Sequence, residues 1–155
     1  MSKNREENLY PSVSLHDCSI EKIEIEGSDI KVKFSKYGFI KKHDDGHYYG
    51  VSNASLVINN VCDIENVYIK EIRTHKVSDD VYFDSAYYVD GKNFINNINS
   101  KKWHFVVTEE YYAIKKALYV GQITEGKNKF FCVIKIMYDT LIYEWQDIIK
   151  DYLVY

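Results

Sequence analysis

Ile23-Glu24-Ile25-Glu26-Gly27-Ser28-Asp29-Ile30-Lys31-Val32-Lys33-Phe34 alternates apolar and polar residues on both sides of a Gly-Ser pair. Alternation with a period of two is the pattern of a half-buried strand, and a two-residue turn led by glycine between two such arms specifies a hairpin. Counting outward from the turn sets Ile25 opposite Ile30, Ile23 opposite Val32 and Glu24 opposite Lys31. That register turns Ile23, Ile25, Ile30 and Val32 toward the core and pairs opposite charges on the other face. Upstream, Ile20 and Ile23 are three positions apart, so a strand arriving from Leu15 needs a bulge near Glu21-Lys22 to keep both on one face.

A second hairpin is signalled by Glu125-Gly126-Lys127-Asn128, between Leu118 to Ile123 and Phe130 to Ile136. With Thr124 opposite Lys129, Ile123 meets Phe130 and Val120 meets Val133 on opposite faces, so this hairpin is expected to be covered on both sides and central to the fold. Weaker strand signals run from Ala54 to Ile58, Asn66 to Thr74, Val81 to Val89 and Trp103 to Tyr112, the last with an apolar face in Trp103, Phe105 and Val107. Asp90-Gly91 reads as a turn, and the asparagine-rich Asn93 to Asn99 is a poor strand, suited to a short helix or an irregular loop. Residues 141–153 fit both a helical stripe and strand alternation. The strand reading is favoured through Trp145, hairpinned to the preceding strand at Asp139-Thr140. The expected class is mainly β, an antiparallel sandwich or open barrel with at most short helices.

The 155 residues have the length of one domain, and no Pro/Gly/Ser-rich stretch divides them. Residues 1–10 read as a loose N-terminal segment. A chain of this size buries roughly two thirds of its surface, enough for a core without disulfide or metal. No apolar run reaches the about 20 residues that span a bilayer, and Met1 to Asn8 lack the apolar stretch of a signal peptide, so the expectation is a cytoplasmic protein off the membrane. Cys18, Cys62 and Cys132 are odd in number and far apart, which reads as reduced, mostly buried thiols. The net charge of −3 provides no field for a phosphate backbone and argues against nucleic-acid binding. The 15 tyrosines supply side chains suited both to sheet faces and to interfaces.

No set of residues specifies a reaction, and neither a cofactor nor a metal is expected. His43-Asp44-Asp45-Gly46-His47 gathers two imidazoles and two carboxylates, but Asp-Asp-Gly is ordinary turn chemistry and the local ligand set is incomplete. His16-Asp17 has the look of a metal-binding dyad, yet it enters a strand and lacks the further ligands. Glu109-Glu110 with Glu144 would provide the carboxylates of a glycoside hydrolase. Neighbouring strand residues point to opposite faces, so Glu109 and Glu110 cannot share one site without a bulge. Lys31, Lys33, Lys36, Lys41 and Lys42 form a basic stretch. Asp79, Asp80, Asp84 and Asp90 form an acidic one interleaved with Tyr82, Phe83, Tyr87 and Tyr88. From this second stretch Asp79, Asp80, Tyr82, Asp84, Tyr87 and Tyr88 are the preferred partner-binding residues, because tyrosines beside carboxylates give both contact area and steering toward a basic protein.

Leu15-His16-Asp17-Cys18-Ser19-Ile20, leading into alternating strands and a glycine turn, together with the late Leu141-Ile142-Tyr143-Glu144-Trp145, resembles the small β-rich immunity proteins encoded beside polymorphic toxins in bacteria. The resemblance implies a non-enzymatic cytoplasmic protein that binds one toxin domain and blocks it, and carries over no particular binding residue. The mild net charge departs from the strongly acidic balance that goes with a basic nuclease toxin. The alternative reading is a small-ligand or carbohydrate-binding β-barrel, with or without hydrolase activity, using tyrosines as stacking platforms.

Overall fold

The structure, a computed structural model, describes residues 3–64, 66–72, 75–78, 81–83 and 86–153, with backbone alone at 63–64, 75–78, 81–83 and 153. In chain order the elements are β1 (Asn4–Glu7), β2 (Val13–Ser14), β3 (Cys18–Glu26), β4 (Asp29–Phe34), β5 (Ile40–Lys42), β6 (Tyr48–Val51), β7 (Ser55–Asn59), β8 (Asp63–Ile64) and β9 (Val67–Glu71). They continue with β10 (His75–Ser78), β11 (Val81–Phe83), β12 (Ala86–Val89), α1 (Gly91–Asn99), β13 (His104–Ala113), β14 (Lys116–Glu125), β15 (Asn128–Met137), β16 (Thr140–Trp145) and β17 (Ile148–Leu153). The main sheet is antiparallel in the order β1-β16-β7-β4-β3-β13-β14-β15-β9-β12, with β8 pairing the end of β15. Its end strands β1 and β12 do not pair with each other, so it is not closed into a barrel. A smaller sheet runs β17-β6-β5-β2, and β10 pairs with β11.

Both hairpins have the register that their turns dictate. Ile23 faces Val32, Ile25 faces Ile30 and Glu24 faces Lys31, and the pairing shifts between Ile20 and Lys22 where the spacing demanded a bulge. Gly27 takes φ +63° at the tip, a conformation open to glycine at no steric cost. In β14–β15, Thr124 faces Lys129, Ile123 faces Phe130 and Val120 faces Val133, with β14 in the middle of the sheet between β13 and β15. Residues 4–7, which carry no strand signal, pair with β16 as the edge strand β1.

The main sheet folds over itself. Ile23, Ile30 and Leu56 from the β4 half and Phe105, Tyr119 and Ile134 from the β14 half line a shared apolar cavity of about 50 Å³. The volume is small against the roughly 300–1,000 Å³ of ligand sites. Close approach of β13 and β14 is bought by Gly121, where a Cβ would lie 2.2 Å from the Phe105 ring and 2.5 Å from the Val106 carbonyl oxygen. At one end α1 closes the sandwich, with Phe94 against Phe105 and Trp103. At the other, Phe39 of the small-sheet layer meets Phe34, Tyr143 and Trp145 edge-on.

Several sequence expectations change. Asp90-Gly91 is a helix start, not a turn between strands: Asp90 accepts hydrogen bonds from the Asn93 backbone N–H and the Asn93 amide, both at 2.8 Å, as an N-cap does. The Val81 to Val89 signal is divided between β11 and β12. The β16 strand is present, but it is not hairpinned to β15: β15 is already paired by β14 on one side and by β8 and β9 on the other, so the chain crosses at Asp139 to pair with β7. Beyond Trp145 the chain forms β17 in the small sheet, so the helical stripe is not used.

A further change is Ile25, which is 54% exposed although Ile30 opposite it is 5% exposed. β13 pairs with β3 only from Cys18 to Ile20, so nothing extends over the hairpin tip. Where β13 departs, the Asn99 side chain takes its place, accepting from Ile23 N–H at 2.8 Å and donating to the Ile23 carbonyl at 2.7 Å. Two substitutions separate the positions. Ile30→Asp is expected to cost about 3–5 kcal/mol of unfolding free energy, as an unpaired buried charge does. Ile25→Asp is expected to change stability by less than about 0.5 kcal/mol, as at an exposed site. Equal losses in urea unfolding would contradict the observed packing.

Candidate functional site

Strand β13 carries an irregularity between Val107 and Glu109 that reverses the side-chain alternation. Before it Phe105 and Val107 point inward; after it Glu110 and Tyr112 do, while Glu109 and Tyr111 are exposed. Glu110 is thereby 8% exposed and the only charged residue buried among the described residues. Its carboxyl accepts from Leu15 N–H at 2.5 Å and Ser14 Oγ at 3.2 Å on one oxygen and from Tyr112 Oη at 2.8 Å on the other. Burial raises its pKa above the ordinary carboxyl value, outweighing these hydrogen bonds, which favour the charged form.

Around Glu110 the tyrosines converge. Burial pushes the hydroxyls of Tyr112, Tyr119 and Tyr143 above the ordinary tyrosine range, so all three are neutral. Tyr119 Oη and Tyr143 Oη are closed to solvent, and both lie within reach of the Tyr112 hydroxyl. Tyr10 lies over Tyr112, with ring centroids 4.8 Å apart. Tyr10, Tyr112, Tyr138 and Tyr143 line an open slot of about 330 Å³, rimmed by Asn8, Lys115 and Asp139. It lies where the chain crosses from β15 to β16, beside the end of the β13–β14 hairpin. Lys115 and Asp139 pair at 3.4 Å across the rim.

The opposite face of β13-β14-β15-β9-β12 has no second layer among the described residues. The registers align Val106, Leu118, Val120, Phe131, Val133, Tyr68 and Tyr88 on it, with Tyr88 68% exposed. Lys116 and Lys129 fall on the same face, which also carries Glu109. On that face Val120 is buried at 8% exposure while Phe131 is 38% exposed, so the expected cover on both sides of β14–β15 is met at Val120 and not along the whole face. The other half of the sheet presents a charged ladder instead: Glu24 lies between Lys22 (3.1 Å) and Lys33 (3.3 Å), and Glu144 between Arg5 (3.7 Å) and Lys31 (3.8 Å).

Of the residues singled out from sequence as partner-binding, Tyr87 and Tyr88 occupy β12 with opposite orientations, Tyr88 on the uncovered face. Tyr82 lies in β11, where the backbone alone is described, and Asp79, Asp80 and Asp84 lie outside the described residues. His43 to His47 form a hydrogen-bonded turn, with His43 N–H donating to the His47 carbonyl and His47 N–H to Asp45. His16 Nδ1 contacts the Thr108 carbonyl oxygen and its Nε2 lies 3.3 Å from Asp17, fixing the entry to β3. Glu109, Glu110 and Glu144 do not meet: Glu110 is inside, Glu109 faces out, and Glu144 belongs to the ladder. Among the described residues no three His, Cys, Asp or Glu side chains form a metal-sized cluster. No described helix is long and apolar enough to cross a membrane. Cys18 and Cys132 are buried and Cys62 is exposed; burial pushes the Cys18 thiol up to about 12.

The chain matches no known protein family, no curated protein and no solved structure.

Because the folded state favours protonated Glu110, its contribution to stability is complete below the ordinary carboxyl pKa of 4.5 and is lost as pH rises through the raised folded-state value. Unfolding free energies of wild type and Glu110→Gln, measured from pH 4 to 8, should show the wild type losing ground to the variant as pH rises. A wild type that gains on Glu110→Gln with rising pH would mean that the carboxylate is the favoured form.

Proposed function

We propose that this chain is a non-enzymatic binding protein that acts by covering a protein partner, in its most specific form an immunity protein that blocks a bacterial toxin domain in the cytoplasm. The observation that carries the reading is the uncovered face of β13-β14-β15-β9-β12. Sheet faces with apolar and aromatic side chains are normally covered, and an exposed patch of this composition marks an interaction surface. Lys116 and Lys129 on this face favour an acidic partner surface. That is the opposite sign to the partner suggested by Asp79, Asp80 and Asp84, so the two stretches make separable contacts. Occlusion needs area and complementarity, with no reacting group, and the dominant contribution is expected from a few aromatic anchors such as Phe131 and Tyr88.

The test is capture of the partner from the native cells, followed by rescue of growth when the captured protein is expressed alone. Phe131→Ala combined with Lys129→Glu should weaken capture by about tenfold or more and abolish rescue, with unfolding unchanged. Exchanging Asp79, Asp80 and Asp84 for lysine should slow association if that stretch steers the encounter. Full rescue by the Phe131/Lys129 variant would remove the sheet face from the account, and a captured protein that does not inhibit growth would remove the immunity role.

A further inference from the structure

We propose that the pocket over the charged ladder, where β4 ends and β7 begins, binds the phosphate group of a small ligand. It lies on the half of the sheet away from the docking face and does not depend on it. The pocket holds about 420 Å³, within the range of small-ligand sites. Lys3, Lys31 and Lys33 line it against one carboxylate, that of Glu21, so its wall is cationic in a chain whose net charge is −3. The ladder does not cancel this charge. One oxygen of Glu24 is shared between Lys22 at 3.1 Å and Lys33 at 3.3 Å, so a single carboxylate faces two ammonium groups. Glu144 stands 3.7 Å from Arg5 and 3.8 Å from Lys31, beyond the about 2.7–2.9 Å of a charge-assisted hydrogen bond. The Lys31 ammonium therefore keeps its donors for a ligand.

The floor of the pocket points the same way. Ser55 is 3% exposed and lines the pocket, and its hydroxyl makes no hydrogen bond among the described residues. Its oxygen is open to the pocket, where those of Tyr119 and Tyr143 are closed to solvent. The registers set Ser55 between Lys33 and Glu144, in the middle of the ladder. Beside it Asn53 Nδ2 donates to Gln146 Oε1, which leaves the Gln146 amide N–H groups as donors on the pocket wall. The Gln146 backbone is held on both sides, its N–H donating to the Ser52 carbonyl at 2.9 Å and its carbonyl accepting from Asn4 Nδ2 at 3.0 Å. Ammonium, amide and hydroxyl donors around one space call for a ligand rich in acceptor oxygens and negative charge. A phosphate monoester brings three such oxygens and a charge of about −1.5 to −2 at pH 7, where a carboxylate brings less of both. The rest of the volume accommodates the organic body that carries the phosphate.

Inorganic phosphate and glucose 6-phosphate are titrated separately into the full chain by isothermal titration calorimetry, with glucose and acetate as controls. The expected result is saturable binding of at least one of the two phosphates, with neither control binding as tightly. Ser55→Ala and Lys31→Gln should each weaken it by about tenfold, as the loss of one hydrogen bond to a charged group does. The first removes a hydroxyl without an internal partner and the second a cation that makes no close contact with Glu144, so both variants should keep the wild-type unfolding transition. Lys127→Gln, at the exposed tip of the β14–β15 hairpin, should bind as the wild type does, which separates the pocket from a general attraction of anions to lysines. The Phe131→Ala/Lys129→Glu variant should also bind as the wild type does, which separates failure of this site from failure of the docking face. No saturation by either phosphate, equal binding of glucose or acetate, binding that survives either pocket substitution, or an equal loss in Lys127→Gln would overturn the assignment.

Discussion

The irregularity in β13 between Val107 and Glu109 determines which side chains the two faces of the sheet receive. A strand without it would send Glu109 and Tyr111 into the interior and leave Glu110 and Tyr112 in solvent, because parity along a strand is fixed at two. With it, one strand supplies Phe105 and Val107 to the apolar core near α1 and Glu110 and Tyr112 to the polar cluster at the far end. Glu110 then ties β13 to Ser14 and Leu15, which anchors the start of the small sheet against the large one. The extra residue thus positions both layers and brings the tyrosines of β13, β14 and β16 together.

What the sequence made legible was local. The Gly27-Ser28 and Gly126-Lys127 turns carry their registers within them, and the three-residue spacing of Ile20 and Ile23 forces a bulge that the pairing shows. Pairings between distant segments were not legible: nothing around Asp139 distinguishes a hairpin from a crossing to β7, since both require the same alternation in β16. Ile25 illustrates the same limit, for its partner across the hairpin is buried while no third strand reaches it. Asp90 reads as turn chemistry because an Asx residue before glycine serves a turn and a helix cap equally well.

The candidate site was legible in its ingredients and hidden in its assembly. The surplus of tyrosines pointed to interfaces or stacking platforms, yet Tyr10, Tyr112, Tyr119, Tyr138 and Tyr143 come from separated parts of the chain. The sequence offers Glu110 as a carboxylate beside Glu109, and the rule that neighbours on a strand diverge separates the two. Which of them turns inward depended on the irregularity at Thr108, where no glycine or proline announces it. The outer sheet face divides in the same way: Val120 is buried there as its alternation implies, while Phe131 and Tyr88 on the same face are exposed.

Nitration of the native protein by tetranitromethane, with modified tyrosines located by mass spectrometry, tests the central claim directly, because Tyr111 and Tyr112 are adjacent in sequence and oppositely placed. The account predicts rapid modification of Tyr111 and Tyr88, with Tyr112, Tyr119 and Tyr143 protected until the protein unfolds. Modification of Tyr112 as fast as Tyr111, or protection of Tyr111 with reaction at Tyr112, would contradict the reversal in β13 and with it the tyrosine site.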